Sequence, residues 1–324
     1  KFIMQNHKTA SHDVQAAIKV ADKILLIAHQ NPDGDCLGSV LAMYRYIASL
    51  DKDVTVFCNH LLPSNFSFLP NTDKLTNDHT VFTQKYDLVI TVDTAVLHLT
   101  GIEELLKIIP SKYKFINIDH HVSNAKYGDI NLIISSASST AEIIYRLLQD
   151  WQVVIDEQTA TALACGLITD TGGFKNPATT YTCLEIASDL INQGANIPKI
   201  IKNTVNDTNI TRLQLWGRAL ERLNKVDKYN LVYTWLTIKD LEECQADGNA
   251  SEGISNFLHI LNEGKIIMVL QETDNNIIKG SLRTTSNIDL SKLAAMMGGG
   301  GHQKAAGFSL PGRLEYVNNK LKIV

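Results

Sequence analysis

Short apolar runs alternate with longer segments of helical spacing through most of the first two hundred residues. The strand-like runs are residues 24–29, 54–58, 87–92 and 114–118, and the helix-like segments are residues 36–50, 101–108, 139–151, 157–168 and 180–192. Because strands and helices alternate along the chain, the pattern predicts an α/β fold with a doubly wound, mainly parallel sheet and helices on both faces.

The pattern changes after Gly194-Ala-Asn-Ile-Pro198, a turn-forming stretch. The next segment, to about Lys225, has helical spacing. Further strands are predicted at residues 230–236, 265–271 and 277–283, followed by a closing helix from Arg313. The predicted organisation is therefore a first domain of residues 1–195, a helical linker of residues 196–227 and a smaller α/β domain of residues 228–324.

Carboxylate and imidazole side chains follow four of the apolar segments in the first domain. They are His29, Asp33 and Asp35 after the first, Asp93 after the second, Asp119, His120 and His121 after the third, and Asp170 after the fourth. An aspartate at a strand end is more often a turn or helix cap, and a lone histidine is more often a satisfied surface group. Four such cases together indicate a metal site, because ligands bind beyond the carboxyl ends of parallel strands and clustered carboxylates need a cation.

Composition limits the class of protein. With 324 residues, 44% hydrophobic and 20% charged, the chain has room for two globular domains. We expect neither a membrane span nor a secretory leader, since no apolar run is long enough. Five cysteines without a close pair predict a reducing, cytoplasmic setting. A net charge of −4 argues against binding of long duplex nucleic acid.

Several motifs carry a family resemblance. His29-Gln-Asn-Pro-Asp-Gly-Asp35, Val92-Asp-Thr94, Asp119-His-His121 and Thr169-Asp-Thr-Gly-Gly-Phe174 resemble, in this order, the four motifs of the DHH phosphoesterase superfamily. Ser281-Leu-Arg-Thr-Thr285 and the stretch from Gly298 to Gly307 resemble its DHHA1 domain. The resemblance covers essentially the whole chain, and the layout is similar to the bacterial nanoRNase/pAp phosphatase (NrnA-like) type. Cys36 departs from it, because such proteins often carry alanine there.

The resemblance implies a centre of two divalent metal ions. In it, His29 and Asp33 would bind one ion, Asp35, His120 and Asp170 would bind the other, and Asp93 would bridge them. Imidazoles among carboxylates favour Mn²⁺, with Co²⁺ or Mg²⁺ as alternatives. Such a pair suits in-line displacement at phosphorus.

The resemblance also implies two catalytic residues beside the metals. His121 would contact the phosphoryl group, and Asp119 would orient a neighbouring ligand rather than bind metal. The alternative for His121, a histidine that caps a helix or supports a metal ligand, stays open.

Substrate binding is expected to involve Arg283, Gly299, Gly300, Gly301 and His302, with the active site in a cleft between the domains. The glycines would bring backbone N–H groups close to a phosphate, and the arginine would clamp it. A hinge or helix C-terminus is the alternative for the glycines, and a surface ion pair is the alternative for Arg283.

The resemblance implies hydrolysis of RNA a few nucleotides long to 5′-mononucleotides, and of 3′-phosphoadenosine 5′-phosphate (pAp) to AMP. Cyclic di-AMP or pApA phosphodiesterase activity is an alternative, whereas pyrophosphatase activity is disfavoured by the glycine-rich C-terminal module. A non-catalytic nucleotide- or RNA-binding protein would be expected to lack some metal ligands. Expected partners are short RNA and nucleoside bisphosphates, with a homodimer left open.

Overall fold

The computed structural model describes residues 7–204, 210–246, 251, 253–258, 261, 263–273, 275–301, 303–317 and 320–324. The chain divides into two compact units, Lys1–Asp207 and Thr208–Val324. In the described part of the chain, the helices are all too short or too polar to cross a membrane.

The N-terminal unit is built on a six-stranded parallel sheet. Its strands are β1 (Lys23–Ala28), β2 (Asp53–Cys58), β3 (Leu75–Thr76), β4 (Leu88–Val92), β5 (Lys114–Asp119) and β6 (Ile130–Ile133). Its α-helices are α1 (Lys8–Val20), α2 (Gly34–Ala48), α3 (Glu103–Leu106), α4 (Thr140–Asp150), α5 (Glu157–Asp170), α6 (Tyr181–Asn192) and α7 (Ile197–Asn203). The strand order is β3-β2-β1-β4-β5-β6, and every neighbouring pair is parallel. The predicted parallel α/β sheet is confirmed.

Alternation along β1 explains the layered core. Ile24, Leu26 and Ala28 belong to the large apolar cluster on one face of the sheet. Leu25 and Ile27 belong to a smaller cluster on the opposite face. Because both faces are covered, every residue from Ile24 to Ala28 is buried, and this produces the continuous apolar run in the sequence.

Close packing of α2 on α5 brings two chain segments together beside the sheet. A Cβ atom on Gly38 would lie 2.2 Å from the carbonyl oxygen of Ala162, so the helices meet backbone to backbone. This contact draws the first turn of α2, which carries Asp35, towards α5, which ends in Asp170.

The C-terminal unit contains a mixed six-stranded sheet and a separate hairpin. The sheet strands are β7 (Asn224–Val226), β8 (Leu231–Leu236), β9 (Ile266–Thr273), β10 (Ile277–Arg283), β11 (Gly300–Gly301) and β12 (Ala305–Pro311), and the hairpin strands are β13 (Leu314–Val317) and β14 (Lys320–Ile323). The helices are α8 (Ile210–Glu221), α9 (Ile238–Glu243), α10 (Ile254–Phe257) and α11 (Leu290–Met296). The sheet order is β11-β12-β10-β9-β8-β7, with only the β8–β9 pair parallel. The prediction of a second, smaller α/β domain is confirmed.

The predicted closing helix from Arg313 is wrong. Residues of β13 and β14 pair in antiparallel register, and Arg313 exchanges two backbone hydrogen bonds with Val324. Leu314 is buried in the core of this unit, whereas the residues that follow it in β13 are exposed. A hairpin satisfies the backbone of such a short segment at the chain end, where an isolated helix would be marginal.

Two helical predictions are shortened in the structure. The segment predicted to be helical over residues 101–108 keeps one α-helical turn, α3. The linker segment of residues 196–227 contains α7, the whole of α8 and the short strand β7, and residues 205–209 between the two helices lie outside the described residues.

Candidate metal centre

The candidate site lies at the carboxyl edge of the parallel sheet, where the strand order reverses between β1 and β4. His29 directly follows β1, Asp93 directly follows β4, and Asp119 ends β5. Open α/β sheets bind ligands at this reversal point, because the loops of neighbouring strands there run in opposite directions.

Asp33 and Asp35 are fixed by the start of α2. Asp33 is its N-cap, and Oδ1 accepts hydrogen bonds from the backbone N–H groups of Asp35 and Cys36, both at 3.0 Å. Asp35 is 1% exposed. Burial, followed by the charge of Asp93, raises the pKa of both carboxyl groups. These carboxylates therefore lie in a field of excess negative charge.

Asp93 presents its two carboxylate oxygens to two different histidines. Oδ2 lies 3.6 Å from Nε2 of His29, and Oδ1 lies 3.7 Å from Nε2 of His120. The residue has a φ of 54°, in the left-handed region that aspartate and asparagine adopt more readily than most residues. Its side chain is 3% exposed, so this geometry is built into the interior.

His29 is oriented by its other ring nitrogen. Nδ1 donates to the carbonyl oxygen of Gln30 at 2.8 Å, which leaves Nε2 towards Asp33 and Asp93. Burial lowers the pKa of His29, but contacts with Cys36 and Asp93 outweigh burial and raise the pKa to about 12. The same negative field would attract a metal cation.

A second group of donors forms around His120. Its Nε2 lies 3.5 Å from Oδ2 of Asp170, the last residue of α5. Burial, together with the charge of Asp93, raises the pKa of Asp170 to about 7. The pKa of His120 is lowered instead, because burial disfavours the charged imidazole.

The donor atoms converge into two sets. One set is His29, Asp33 and Asp93, and the other is Asp35, His120 and Asp170; within each set, the ligand atoms lie within 4.8 Å of one another. Two atoms that each lie about 2.0–2.2 Å from a shared ion are at most about 4.4 Å apart. The separations of 3.5–3.9 Å between histidine nitrogens and carboxylate oxygens within these sets fall below that limit. Among the described residues, Asp33, Asp93 and Asp170 form ion pairs with histidines alone. The residues thus fit a pair of divalent ions, and Asp93 links the two sets.

Asp119 holds His121 in place. Asp119 is fully buried, and its Oδ1 accepts hydrogen bonds from Nδ1 of His121 at 2.7 Å and from the backbone of His120 at 2.8 Å. Its Oδ2 accepts from Nδ2 of Asn124 at 2.6 Å. The hydrogen bond to Asp119 is the main cause that raises the pKa of His121 to about 9.

His121 also lies beside the metal-facing groups. Its Nδ1 is 3.7 Å from Oδ1 of Asp93, and it forms a third convergent set with Asp93 and His120. Because Nδ1 is already engaged with Asp119, Nε2 is the nitrogen left for another partner. The side chain of His121 is 35% exposed.

Sequence reasoning missed the start of α4. Thr140 and Ala141 donate backbone N–H groups to Oδ2 and Oδ1 of Asp35, at 2.6 and 2.8 Å. The hydroxyl of Thr140 donates to Oδ1 of Asp93 at 2.9 Å. The motif Ser139-Thr-Ala-Glu142 has the spacing of a helix start, and this signal could have pointed to these residues.

The predicted substrate-binding residues share the sheet of the C-terminal unit. Arg283 ends β10 and Gly300 and Gly301 form β11, with β12 between the two strands. Arg283 is half-buried, and burial lowers its pKa. His302 lies outside the described residues.

The glycine run begins as a helix end. Gly298 follows α11 with a φ of 73°, and the N–H of Gly299 donates to the carbonyl oxygen of Ala294 at 2.8 Å. A Cβ on Gly299 would lie 2.1 Å from the carbonyl oxygen of Gly307, whereas a Cβ on Gly300 would meet open space. Glycine is therefore required at 299 for close backbone packing, and at Gly300 the backbone is open to an approaching ligand.

Comparisons with known proteins agree with this architecture. Residues 23–167 match the DHH family, N-terminal domain, and residues 229–324 match the DHHA1 domain. The chain is 25% identical to the bifunctional oligoribonuclease and PAP phosphatase NrnA of Thermus thermophilus, over 90% of this chain and 86% of that protein. It is 28% identical to a probable bifunctional oligoribonuclease and PAP phosphatase NrnA of Streptococcus mutans, over 92% and 93% of the two chains.

A solved structure is similar over nearly the whole length. The crystal structure of an exopolyphosphatase-related protein from Bacteroides fragilis matches with a TM-score of 0.87 and 26% identity, covering 95% of this chain and 92% of that one. Both domain models are matched in order, and relatives align over 90% or more of the chain. The chain belongs to the DHH/DHHA1 phosphoesterase superfamily.

Proposed function

We propose that this phosphoesterase uses two metal ions to hydrolyse short oligoribonucleotides to 5′-mononucleotides and pAp to AMP. The observation that carries the proposal is the geometry of Asp93, whose two oxygens face His29 and His120 in separate donor sets. The activity named for the Thermus thermophilus relative supports the choice of substrates.

Six residues would hold the ions. His29 and Asp33 would bind one ion, Asp35, His120 and Asp170 the other, and Asp93 both. The mixture of imidazole and carboxylate favours Mn²⁺, with Co²⁺ or Mg²⁺ as alternatives. When bound, two divalent ions supply positive charge that offsets the negative charge on a reacting phosphoryl group.

The protein's own part in the reaction centres on His121. Asp119 keeps Nδ1 of His121 protonated and fixes the ring, so that Nε2 is directed away from Asp119. We assign this nitrogen to contact with a phosphoryl oxygen of the substrate. Asp119 and Asn124 act as positioning residues for that contact.

Substrate recognition is assigned to the C-terminal unit. Arg283 supplies a guanidinium that can bind phosphate with two donors, and the open space beside the backbone at Gly300 allows close approach of an anion. Gly301 is assigned to the same phosphate as the next residue of β11, although a Cβ there would lie 2.7 Å from the carbonyl oxygen of Ala305. Gly299 supports this loop, and His302 is assigned to the same phosphate on sequence grounds. Since few basic groups are involved, the ligand should be short RNA or a nucleoside bisphosphate rather than a long duplex.

We assign the reaction to the cytoplasm. All five cysteines are buried and unpaired, which fits a reducing compartment.

A substrate panel tests the proposal. Metal-stripped protein is given Mn²⁺ with RNA dimers to pentamers, pAp, pApA, cyclic di-AMP or pyrophosphate, and the products are separated by chromatography. We expect 5′-mononucleotides from RNA and AMP from pAp, with no turnover by Asp93→Asn. The matched control is Asp129→Asn. Asp129 is exposed and accepts a hydrogen bond from the backbone N–H of Phe115, which the amide oxygen of asparagine can also accept, so this variant should behave as wild type.

Two outcomes would overturn the proposed substrates. Turnover of cyclic di-AMP, pApA or pyrophosphate alone would assign the chain to another phosphoesterase activity. Binding of the nucleotides without any Mn²⁺-dependent cleavage would make it a non-catalytic binding protein.

A further inference from the structure

We infer that Thr140 is a positioning residue that joins the two halves of the candidate metal centre and thereby sets the affinity for both ions. The inference rests on the proposed two-metal function. It concerns a residue at the start of α4 that is not itself among the donors of the convergent sets.

The hydroxyl of Thr140 fixes the rotation of the Asp93 carboxylate. Thr140 is fully buried, and its Oγ1 donates to Oδ1 of Asp93 at 2.9 Å. Rotation about the last bond of an aspartate side chain is otherwise soft. With Oδ1 held on the side of His120, Oδ2 is directed towards His29, and this arrangement is required for one carboxylate to serve both donor sets.

The backbone of the same residue fixes Asp35. Thr140 and Ala141 donate N–H groups to different oxygens of Asp35, so the carboxylate is held at both ends. These are first-turn N–H groups of a helix, which have no partner within the helix and favour a negative charge. Asp35 belongs to the donor set with His120 and Asp170, whereas Asp93 is grouped with His29 and Asp33 and, in a further set, with His120 and His121.

A buried polar network holds Thr140 itself. Ser139 caps α4 by accepting the N–H of Glu142 at 3.1 Å. Glu142 is fully buried, accepts hydrogen bonds from both the backbone and the hydroxyl of Ser138, and pairs with Arg146. These buried hydrogen bonds and the ion pair hold the turn in one conformation, so it is preorganised before any ion binds.

Removal of the hydroxyl should therefore weaken metal binding without removing a ligand. Thr140→Val keeps the shape and the backbone N–H but frees Asp93, and we expect the affinity for Mn²⁺ to fall by about 10–100-fold, as for other partners of metal ligands. Thr140→Ser keeps the oxygen and should retain most of the affinity. Thr161→Val is the matched control, because Thr161 is also buried and its hydroxyl donates to the carbonyl oxygen of Glu157.

The test is a titration of metal-free protein with Mn²⁺, in which free Mn²⁺ is measured by electron paramagnetic resonance and folding by circular dichroism. We expect two ions per wild-type chain, weaker binding by Thr140→Val, and near wild-type binding by Thr140→Ser and Thr161→Val. If the valine variant is unfolded, Thr140→Ala takes its place.

Three results would overturn the inference. They are wild-type affinity in Thr140→Val, equal losses in the serine and valine variants, or an equal loss in the Thr161→Val control. These failures leave wild-type Mn²⁺ binding intact. A wild-type protein that binds no Mn²⁺ would instead overturn the proposed metal centre, and the inference with it.

Discussion

His121 donates a hydrogen bond from Nδ1 to Oδ1 of Asp119 across 2.7 Å, and the accepting carboxylate is completely buried. The pair keeps Nδ1 protonated and fixes the direction of the imidazole ring. His121 is thereby held in a fixed position beside the candidate metal centre.

Replacement of Asp119 by asparagine should impair turnover more than metal binding. An amide cannot accept hydrogen bonds from both His121 and Asn124, because its NH₂ group would face one of these donors. We expect kcat to fall at least about tenfold, while the affinity for Mn²⁺ changes little. Steady-state kinetics with pAp measure this, with Asp129→Asn as the control. Wild-type kcat in Asp119→Asn would contradict the positioning role.

Gly166→Ala should displace Asp35, one of the proposed metal ligands, by steric crowding. A Cβ at this position would lie 2.6 Å from Oδ1 of Asp35 and 2.5 Å from Cβ of Ala141. We expect a loss of about 1–3 kcal/mol in the free energy of unfolding, as for other overpacked sites, together with weaker Mn²⁺ binding. Urea unfolding of metal-free protein measures the first effect.

Gly217→Ala is the control for the glycine substitution. Gly217 lies in α8, and a Cβ there would contact nothing within 4 Å. Alanine should stabilise this helix by up to about 1 kcal/mol and leave Mn²⁺ binding unchanged. If the two alanine variants behave alike, crowding against Asp35 is not the reason why residue 166 must be glycine.

The two substitutions of Asp93 should separate charge from backbone strain. Asparagine tolerates the φ of 54°, so Asp93→Asn should fold normally. It removes the negative charge that both ions would share, so Mn²⁺-dependent turnover should fall at least about 100-fold. Loss of a residue that only supports a metal ligand typically costs about 10–100-fold, so a ligand should cost at least as much. Asp93→Ala should show the same loss of turnover and a further destabilisation of about 1–2 kcal/mol. Circular dichroism and thermal unfolding distinguish the variants. Substantial turnover by Asp93→Asn would exclude a bridging role.

The stability of the C-terminal unit should depend on pH through Asp240. Arg222 donates to both oxygens of Asp240, at 2.5 and 2.7 Å. Burial alone would raise the pKa of Asp240, but hydrogen bonds from Arg222 and Thr237 outweigh burial and lower it. The ionised form therefore stabilises the fold above the ordinary carboxyl pKa of about 3.9, and this stabilisation is lost as the pH falls through the lower folded-state pKa.

Asp240→Asn should accordingly cost about 1–3 kcal/mol at neutral pH. The difference from wild type should shrink as the pH falls below about 4. Unfolding by urea at several pH values measures both. Asp227→Asn is the control, because Asp227 forms an exposed ion pair with Lys225 and should have little effect. A difference that stays constant down to low pH would contradict the role of the Asp240 charge.

The parallel sheet and the donor positions could be predicted from sequence because the signals are local. A strand buried on both faces gives a continuous apolar run, as in β1, and the residue after it falls at the carboxyl edge. His29 and Asp93 could be placed in this way. The very short strand β3 could not, because its two residues form a strand only through pairing with β2, which lies elsewhere in the chain. The hairpin β13–β14 was missed because its apolar residues also suit a helix.

The support of the site was harder to predict. The hydrogen bond from Thr140 to Asp35 joins residues 105 positions apart. The local sequence of a serine-capped helix start does not reveal whether a carboxylate from elsewhere in the chain accepts its first N–H groups. The glycine run has two local explanations, and the structure shows that it serves first as the end of α11. Packing of α2 on α5 through Gly38 likewise depends on a partner helix.

The two-ion centre is tested most directly by a crystal structure of the protein grown with Mn²⁺ and measured with anomalous scattering. We expect two manganese peaks, one beside His29 and Asp33 and the other beside Asp35, His120 and Asp170, both in contact with Asp93. A single peak away from Asp93, or no peak at a saturating concentration of Mn²⁺, would contradict it.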